Sequence, residues 1–338
     1  MRRLKDHRYN RSQRMKMRKA RRGRAKMPLA AKALAVLSGA LAITAIVLLI
    51  NYLVSWGRMN KEQEAMRALY KQETRKPPEA TPESALQIKT TPFPEEPETA
   101  RLETVTPENT EQTAQAQALP PAETEERASM ADRFVPLMRH NQDVVGWLTY
   151  PMFSEMDFAV VQRDNYYYMD RAFSGERNIA GTVFMDESNQ IRPRDKNLIL
   201  HGHNMKNGTM FGRLARMMEP AVIKAEPFMS FDTLYQDSLY VPYAVTVFSV
   251  DPQNPQYYNI VTPNFETPEE MGEYVNWLRA RSVLRFPVEI SANDKLLTLV
   301  TCHGLDEDER LAVALRAVRP GESTEAIKQA IKQDLVKN

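Results

Sequence analysis

The arrangement best suited to chemistry lies in residues 296–318. Leu296, Leu297, Leu299 and Val300 lead to Thr301 and Cys302, the seven residues HGLDEDE follow, and RLAVALRAV then resumes a strand pattern. If HGLDEDE is the loop of a hairpin, Cys302 and Arg310 close it and stand opposite each other on one face. A loop of that length fixes register loosely, so the pairing has room to slip by a residue or two. Arg316 shares the face but lies six residues on, about 20 Å away at strand rise, which makes Arg310 the better partner. A guanidinium beside a thiol favours the nucleophilic thiolate and is also a donor for a developing oxyanion. The same residues fit an arginine paired with Asp306, Glu307 or Glu309 in a solvated hairpin about as well.

Such a thiol needs a proton carrier. In NLILHGHNMKNGTMFGRL an apolar strand, Leu198 to Leu200, runs into Gly202 and then into the polar cluster His203, Asn204 and Asn207. Polar groups on a loop at the end of a rigid strand are a common way to build a site, and histidine exchanges protons near neutral pH. Of the five histidines, His7 falls in the basic head and His140 in the first helix of the folded domain, leaving His201, His203 and His303. His201 ends a strand and suits packing; His303 adjoins the cysteine. No close-spaced ligand motif joins them to Asp or Glu, so no metal site is expected.

Short strands must position these groups. Residues 144–150, 158–162, 181–185, 198–201, 239–250, 295–302 and 311–318 read as strands bounded by turn residues. Met130, Phe134, Leu137 and Met138 recur at helical spacing, 210–218 reads as a short helix, and Thr267 caps a longer one over 267–281 ahead of Pro268, Glu269 and Glu270. The pattern predicts a mainly β fold, an antiparallel or mixed barrel with peripheral helices, over 127–320. A polar helix or tail follows over 321–338.

The rest of the chain is strongly segregated. Residues 1–32 carry fourteen Lys and Arg against the single acid Asp6, and 33–57 run without a charge. That run exceeds the roughly 20 residues that cross a bilayer as a helix, and Tyr52 and Trp56 sit near its end, where amphipathic rings favour the interface. It reads as a retained signal anchor with the basic head in the cytoplasm and all later residues outside. An adjacent span accounts for the head's charge without nucleic acid. Residues 58–126 comprise a membrane-proximal helix with little apolar face, then a Pro/Glu/Thr-rich stalk with nine prolines, which cannot bury enough surface to order itself. Cys302 is the only cysteine, so no internal disulfide is possible.

Taken together, VGWLTYPMFSEMDFAVVQ, DNYYYMDRAFSGERNIAGTVFMD, LILHGHNMKNGTMFGRL and LTLVTC with an arginine after it resemble a class B sortase over residues 143–318. The helix over 267–281 and the amino-terminal anchor are similar to that family too. The resemblance implies a closed barrel of about eight strands, and a nucleophile at Cys302, a catalytic histidine at His203 and an arginine at Arg310. It also implies substrate contacts near Leu299, Thr301 and Asn204. Two departures stand out: His201 occupies a position that is often aromatic in the family, and His303 and Gly304 follow the cysteine. The implied reaction is transpeptidation through a thioester, which needs no cofactor. A sorting peptide of LPxTG-like or NPxTx-like sequence is cleaved after Thr and passed to an amine of a cell-wall precursor or pilin. Cysteine hydrolysis with the same groups, or a stalked surface-binding domain, are the alternatives. An L,D-transpeptidase would carry SxGC where TLVTC stands.

Overall fold

The computed structural model describes residues 28–74, 129–303 and 308–338. Most of the basic head, the stalk and part of the loop after Cys302 lie outside the described residues. The chain divides into two compact units, 1–60 and 61–338. In the first, helix α1 (Leu29–Thr74) begins. Its apolar stretch is long and apolar enough to cross a membrane.

The second unit is built on a closed barrel of eight strands among the described residues, in the order β1-β2-β3-β4-β8-β9-β6-β5. In chain order these are β1 (Val144–Thr149), β2 (Asp157–Val161), β3 (Phe184–Met185), β4 (Asn197–His201), β5 (Met229–Thr233), β6 (Leu239–Ser249), β8 (Leu296–Cys302) and β9 (Glu309–Ala317). A small pair, β7 (Leu284–Arg285) with β10 (Val336–Lys337), stands apart. β2 with β3 and β4 with β8 run parallel and the other neighbours antiparallel. Leu198, Ile199, Leu200, Leu296, Leu297 and Leu299 are completely buried. Consecutive burial of this kind means that both faces of β4 and β8 are covered, which explains their unbroken apolar runs.

The helices hold to the sequence pattern with local exceptions. α2 (Val135–His140) precedes β1. α4 (Pro268–Ala280) starts where expected, with the Thr267 side chain accepting from the Glu270 N–H at 3.2 Å. Residues 210–218 do not form one helix: Met210 has φ 51°, and only a 3-10 turn at Leu214–Met218 and then α3 (Pro220–Ala225) follow. The polar tail is docked rather than loose. α5 (Thr324–Asp334) buries Ile331, and Glu322 grips the buried Arg316 guanidinium through two bonds of 2.6 and 2.8 Å. Arg316 is thus occupied at the start of β8, opposite Leu296 and far along the ladder from Cys302.

The largest departure concerns residues 61–71. Expected as a helix with little apolar face, ahead of a folded domain starting near 127, they belong to the barrel's own unit. Met66 and Tyr70 join the core cluster with Phe134, Trp147 and Val161. The Tyr70 ring stacks on Trp147 at 4.4 Å, and its hydroxyl donates to Asp232 at 2.8 Å. Around that contact, Arg67 donates to the Asp157 carbonyl at 2.6 Å and Lys71 to its carboxylate at 2.7 Å. Burial pushes the Asp157 carboxyl up, but bonds from Lys71 and the Trp147 indole outweigh it and hold it below its usual range. The face is small in apolar area and is completed by ion pairs, which is why helical periodicity hides it.

Candidate active site

Parallel pairing of β4 and β8 aligns Leu200 with Leu299 and His201 with Val300, so both strands finish at the same end of the barrel. The chain beyond them stays connected. Gly202 N–H donates to Val300 O at 3.2 Å, the Thr301 hydroxyl to Gly202 O at 2.7 Å, and the Asn204 amide to Cys302 O at 3.0 Å. The loop bearing His203 is therefore tied directly to the segment bearing Cys302. Gly202 is required for that approach: a Cβ there would meet the Phe211 ring at 2.8 Å.

β8 and β9 form the hairpin in the register anticipated from sequence. Cys302 pairs with Arg310, and every pair back to Leu296 with Arg316 follows without a shift. Opposed residues of an antiparallel ladder lie about 5 Å apart at Cα, with side chains on the same face. Cys302 is exposed and Arg310 half-buried. One Arg310 N–H donates to the Glu309 carbonyl at 3.1 Å, and His303 N–H donates to that same carbonyl at 3.0 Å. On its other side Arg310 pairs with the fully buried Phe248 of β6, which fixes its backbone.

His203 is half-buried, and its ring Nε2 lies 2.6 Å from the Met169 carbonyl. Its own carbonyl accepts from Met205 N–H and Phe211 N–H at 3.1 and 3.0 Å, so the loop is closed on itself. The other two histidines sit elsewhere. His201 packs beside Phe184 and bonds to Asp186 at 2.9 Å, while His303 contributes its backbone to the hairpin. Among the described residues no group of three or more His, Cys, Asp and Glu could hold a metal ion.

Of the three residues expected near substrate, only Asn204 presents its side chain at the surface. Leu299 is fully buried and Thr301 nearly so, with its hydroxyl committed to Gly202. Both faces of β8 are covered up to Thr301, and Cys302, at the end of the strand, is its only exposed residue. The Met169 carbonyl is a contact that sequence reasoning missed. A backbone atom leaves no residue-type signal.

The Asp186–His201 pair makes a stability prediction. Burial pushes the Asp186 carboxyl up, but bonds from His201 and Ser188 outweigh it and lower it from 3.8 to about 2. A depressed folded value contributes stability that is present above 3.8 and lost as pH falls through about 2. A shift of this size is worth about 2 kcal/mol. Asp186→Asn is therefore expected to lower unfolding free energy by about that much at pH 7, with the gap narrowing below about pH 4. Denaturant midpoints measured across this range test it; a gap independent of pH would contradict it.

Comparison with known proteins agrees with this geometry. The Sortase domain family model matches residues 148–318. Sortase B of Listeria monocytogenes is 32% identical over 182 residues, which span 54% of this chain and 71% of that protein. Sortase B of Staphylococcus aureus is 25% identical over 190 residues, 55% of this chain and 75% of that one. Among solved structures, sortase B from B. anthracis superposes with a TM-score of 0.50 at 28% identity, covering 59% of this chain and 93% of that one. A family match over half the chain, a relative sharing almost a third of its residues, and a common barrel lead to one conclusion: the chain belongs to the sortase family, as a class B member, and is a cysteine transpeptidase.

Proposed function

We propose that this sortase is held in the membrane by the apolar part of α1, with its basic head in the cytoplasm and its barrel outside. There it cleaves a sorting peptide after Thr and transfers the acyl part to an amine. The observation that carries the reading is the register of the β8–β9 hairpin. The only cysteine of the chain faces Arg310, at the barrel end where the loop of His203 is tied to the Cys302 backbone.

In this reaction the Cys302 thiolate attacks the Thr carbonyl carbon, the peptide C–N bond breaks, and the leaving amine takes a proton from His203. Arg310 donates to the oxyanion. An incoming amine then gives its proton back to His203 as it attacks the thioester, and the thiolate is released. The substrates are secreted proteins with LPxTG-like or NPxTx-like motifs, and the acceptor is an amine of a cell-wall precursor or pilin. Neither step draws on a cofactor.

Product analysis with the full chain in detergent micelles tests the transfer. Incubated with LPxTG-like or NPxTx-like peptides and a glycine-based or diamine acceptor, the enzyme is expected to yield the amide product, with yield rising as acceptor is added. Release of the free acid alone, at a rate insensitive to acceptor, would instead identify a hydrolase.

A further inference from the structure

The contact at His203 settles more than its position. A carbonyl oxygen only accepts hydrogen bonds, so the 2.6 Å approach of Nε2 to Met169 O requires a proton on Nε2. Among the described residues Nδ1 makes no hydrogen bond. We infer that the Met169 carbonyl fixes neutral His203 as the Nε2–H tautomer, leaving Nδ1 as the nitrogen that exchanges protons with the leaving and incoming amines.

The carbonyl is rigidly presented. It ends a 3-10 turn, Tyr167–Met169, whose start is held by Asp164 accepting from Tyr166 and Tyr167 N–H at 3.0 and 2.8 Å. Tyr168 is buried, donates its hydroxyl to Asp143 at 2.7 Å and receives the Asn141 amide at 2.8 Å. Thr182 N–H closes the turn on Tyr168 O at 3.0 Å. Beneath it lies Gly181, with φ 60°, where an added Cβ would fall 2.5 Å from Tyr168 O and 2.8 Å from Met169 O. Only glycine both adopts that conformation without strain and leaves the two carbonyls where they are. Met169 and Gly181 are positioning residues, acting through the His203 ring.

When the peptide C–N bond breaks, imidazolium Nδ1–H protonates the departing amine and the neutral Nε2–H tautomer remains. When the acceptor amine attacks the thioester, Nδ1 takes its proton and the imidazolium returns as the C–S bond breaks. The Nε2–H···O bond persists through both steps, so the ring need not turn between them. Other hydrogen-bonded histidines fix their tautomer in the same way.

This role in proton exchange rests on the proposed transpeptidation, but the tautomer can be read without substrate. In the full chain labelled with 15N-histidine in detergent micelles, long-range proton–nitrogen correlation spectra distinguish the tautomers, and a His203→Ala spectrum assigns the signals. Above the ring's titration, His203 is expected to show a protonated Nε2 and a bare Nδ1. A protonated Nδ1, or shifts averaged between both forms, would overturn the inference. Gly181→Ala is expected to average the His203 shifts, leave those of His201 in place, and lower kcat on the order of 100-fold with little change in KM. Unchanged His203 shifts in a Gly181→Ala protein that has lost activity would also count against it. If that variant does not fold, the native tautomer alone decides. Absence of transfer to any amine, with the Nε2–H tautomer present, would strike the proposed function and not the positioning.

Discussion

Cys302→Ala is expected to leave no transpeptidation, and Arg310→Ala to lower kcat/KM by about 10²–10³-fold while the protein stays folded. The first effect follows from the chain's having a single thiol. The second follows from the ladder: Arg310 is the residue directly across from Cys302, anchored on one side by β8 and on the other by Phe248. A fixed guanidinium there needs no reorganisation when charge develops on the carbonyl oxygen, which is the condition under which a single donor is worth several kcal/mol. Arg310→Lys keeps the charge but loses the planar fork, so it is expected to fall between the parent and Arg310→Ala. Peptide turnover, read beside the rate at which iodoacetamide alkylates Cys302, checks both. If Arg310→Ala turned over peptide like the parent, the arginine would be a hairpin charge with no part in the reaction.

Tyr70→Ala is expected to cost about 3–5 kcal/mol of stability, the usual range for truncating a large buried aromatic. For a unit of this size that is a fall of roughly 10 °C in melting temperature. Tyr70 is 7% exposed and lies flat on Trp147, with Phe134 tilted against it at 5.5 Å. Truncation empties that slot and leaves Asp232 without the phenol hydroxyl. Calorimetry of the full chain reads the shift. A change of only a degree or so would mean that residues 61–71 are a spacer that touches the barrel without supporting it.

How much of this was legible in the sequence depends on where each signal is stored. The Cys302–Arg310 pairing is written locally, in two alternating runs around a seven-residue loop, and the register came out as the alternation implied. The joining of β4 to β8 is a parallel pairing across nearly a hundred residues, which no local pattern encodes; the resemblance implied a closed barrel but not which strands are neighbours in it. β5 escaped because MSFDT contains Ser and Asp, residues of low strand preference, and is stabilised by pairing with β1 and β6. The strand read over 181–185 shrank to Phe184–Met185 because Gly181 and Thr182 belong to the turn under Met169. The docking of residues 61–71 depends on Trp147 and Asp157, some eighty residues further on, and on Arg67 and Lys71, which a periodicity count scores as solvent-facing. His203 was legible as a loop histidine after a strand, but the backbone carbonyl that orients it was not.

The most direct test of acyl transfer through Cys302 is the intact mass of the full chain, held in detergent with excess LPxTG-like and NPxTx-like peptides and no added amine. A covalent adduct equal to the amino-terminal fragment ending in Thr is expected on Cys302, absent from Cys302→Ala and released when amine is supplied. No adduct with any of the peptides, from a folded protein whose Cys302 resists alkylation, or an adduct attached to another residue, would contradict it.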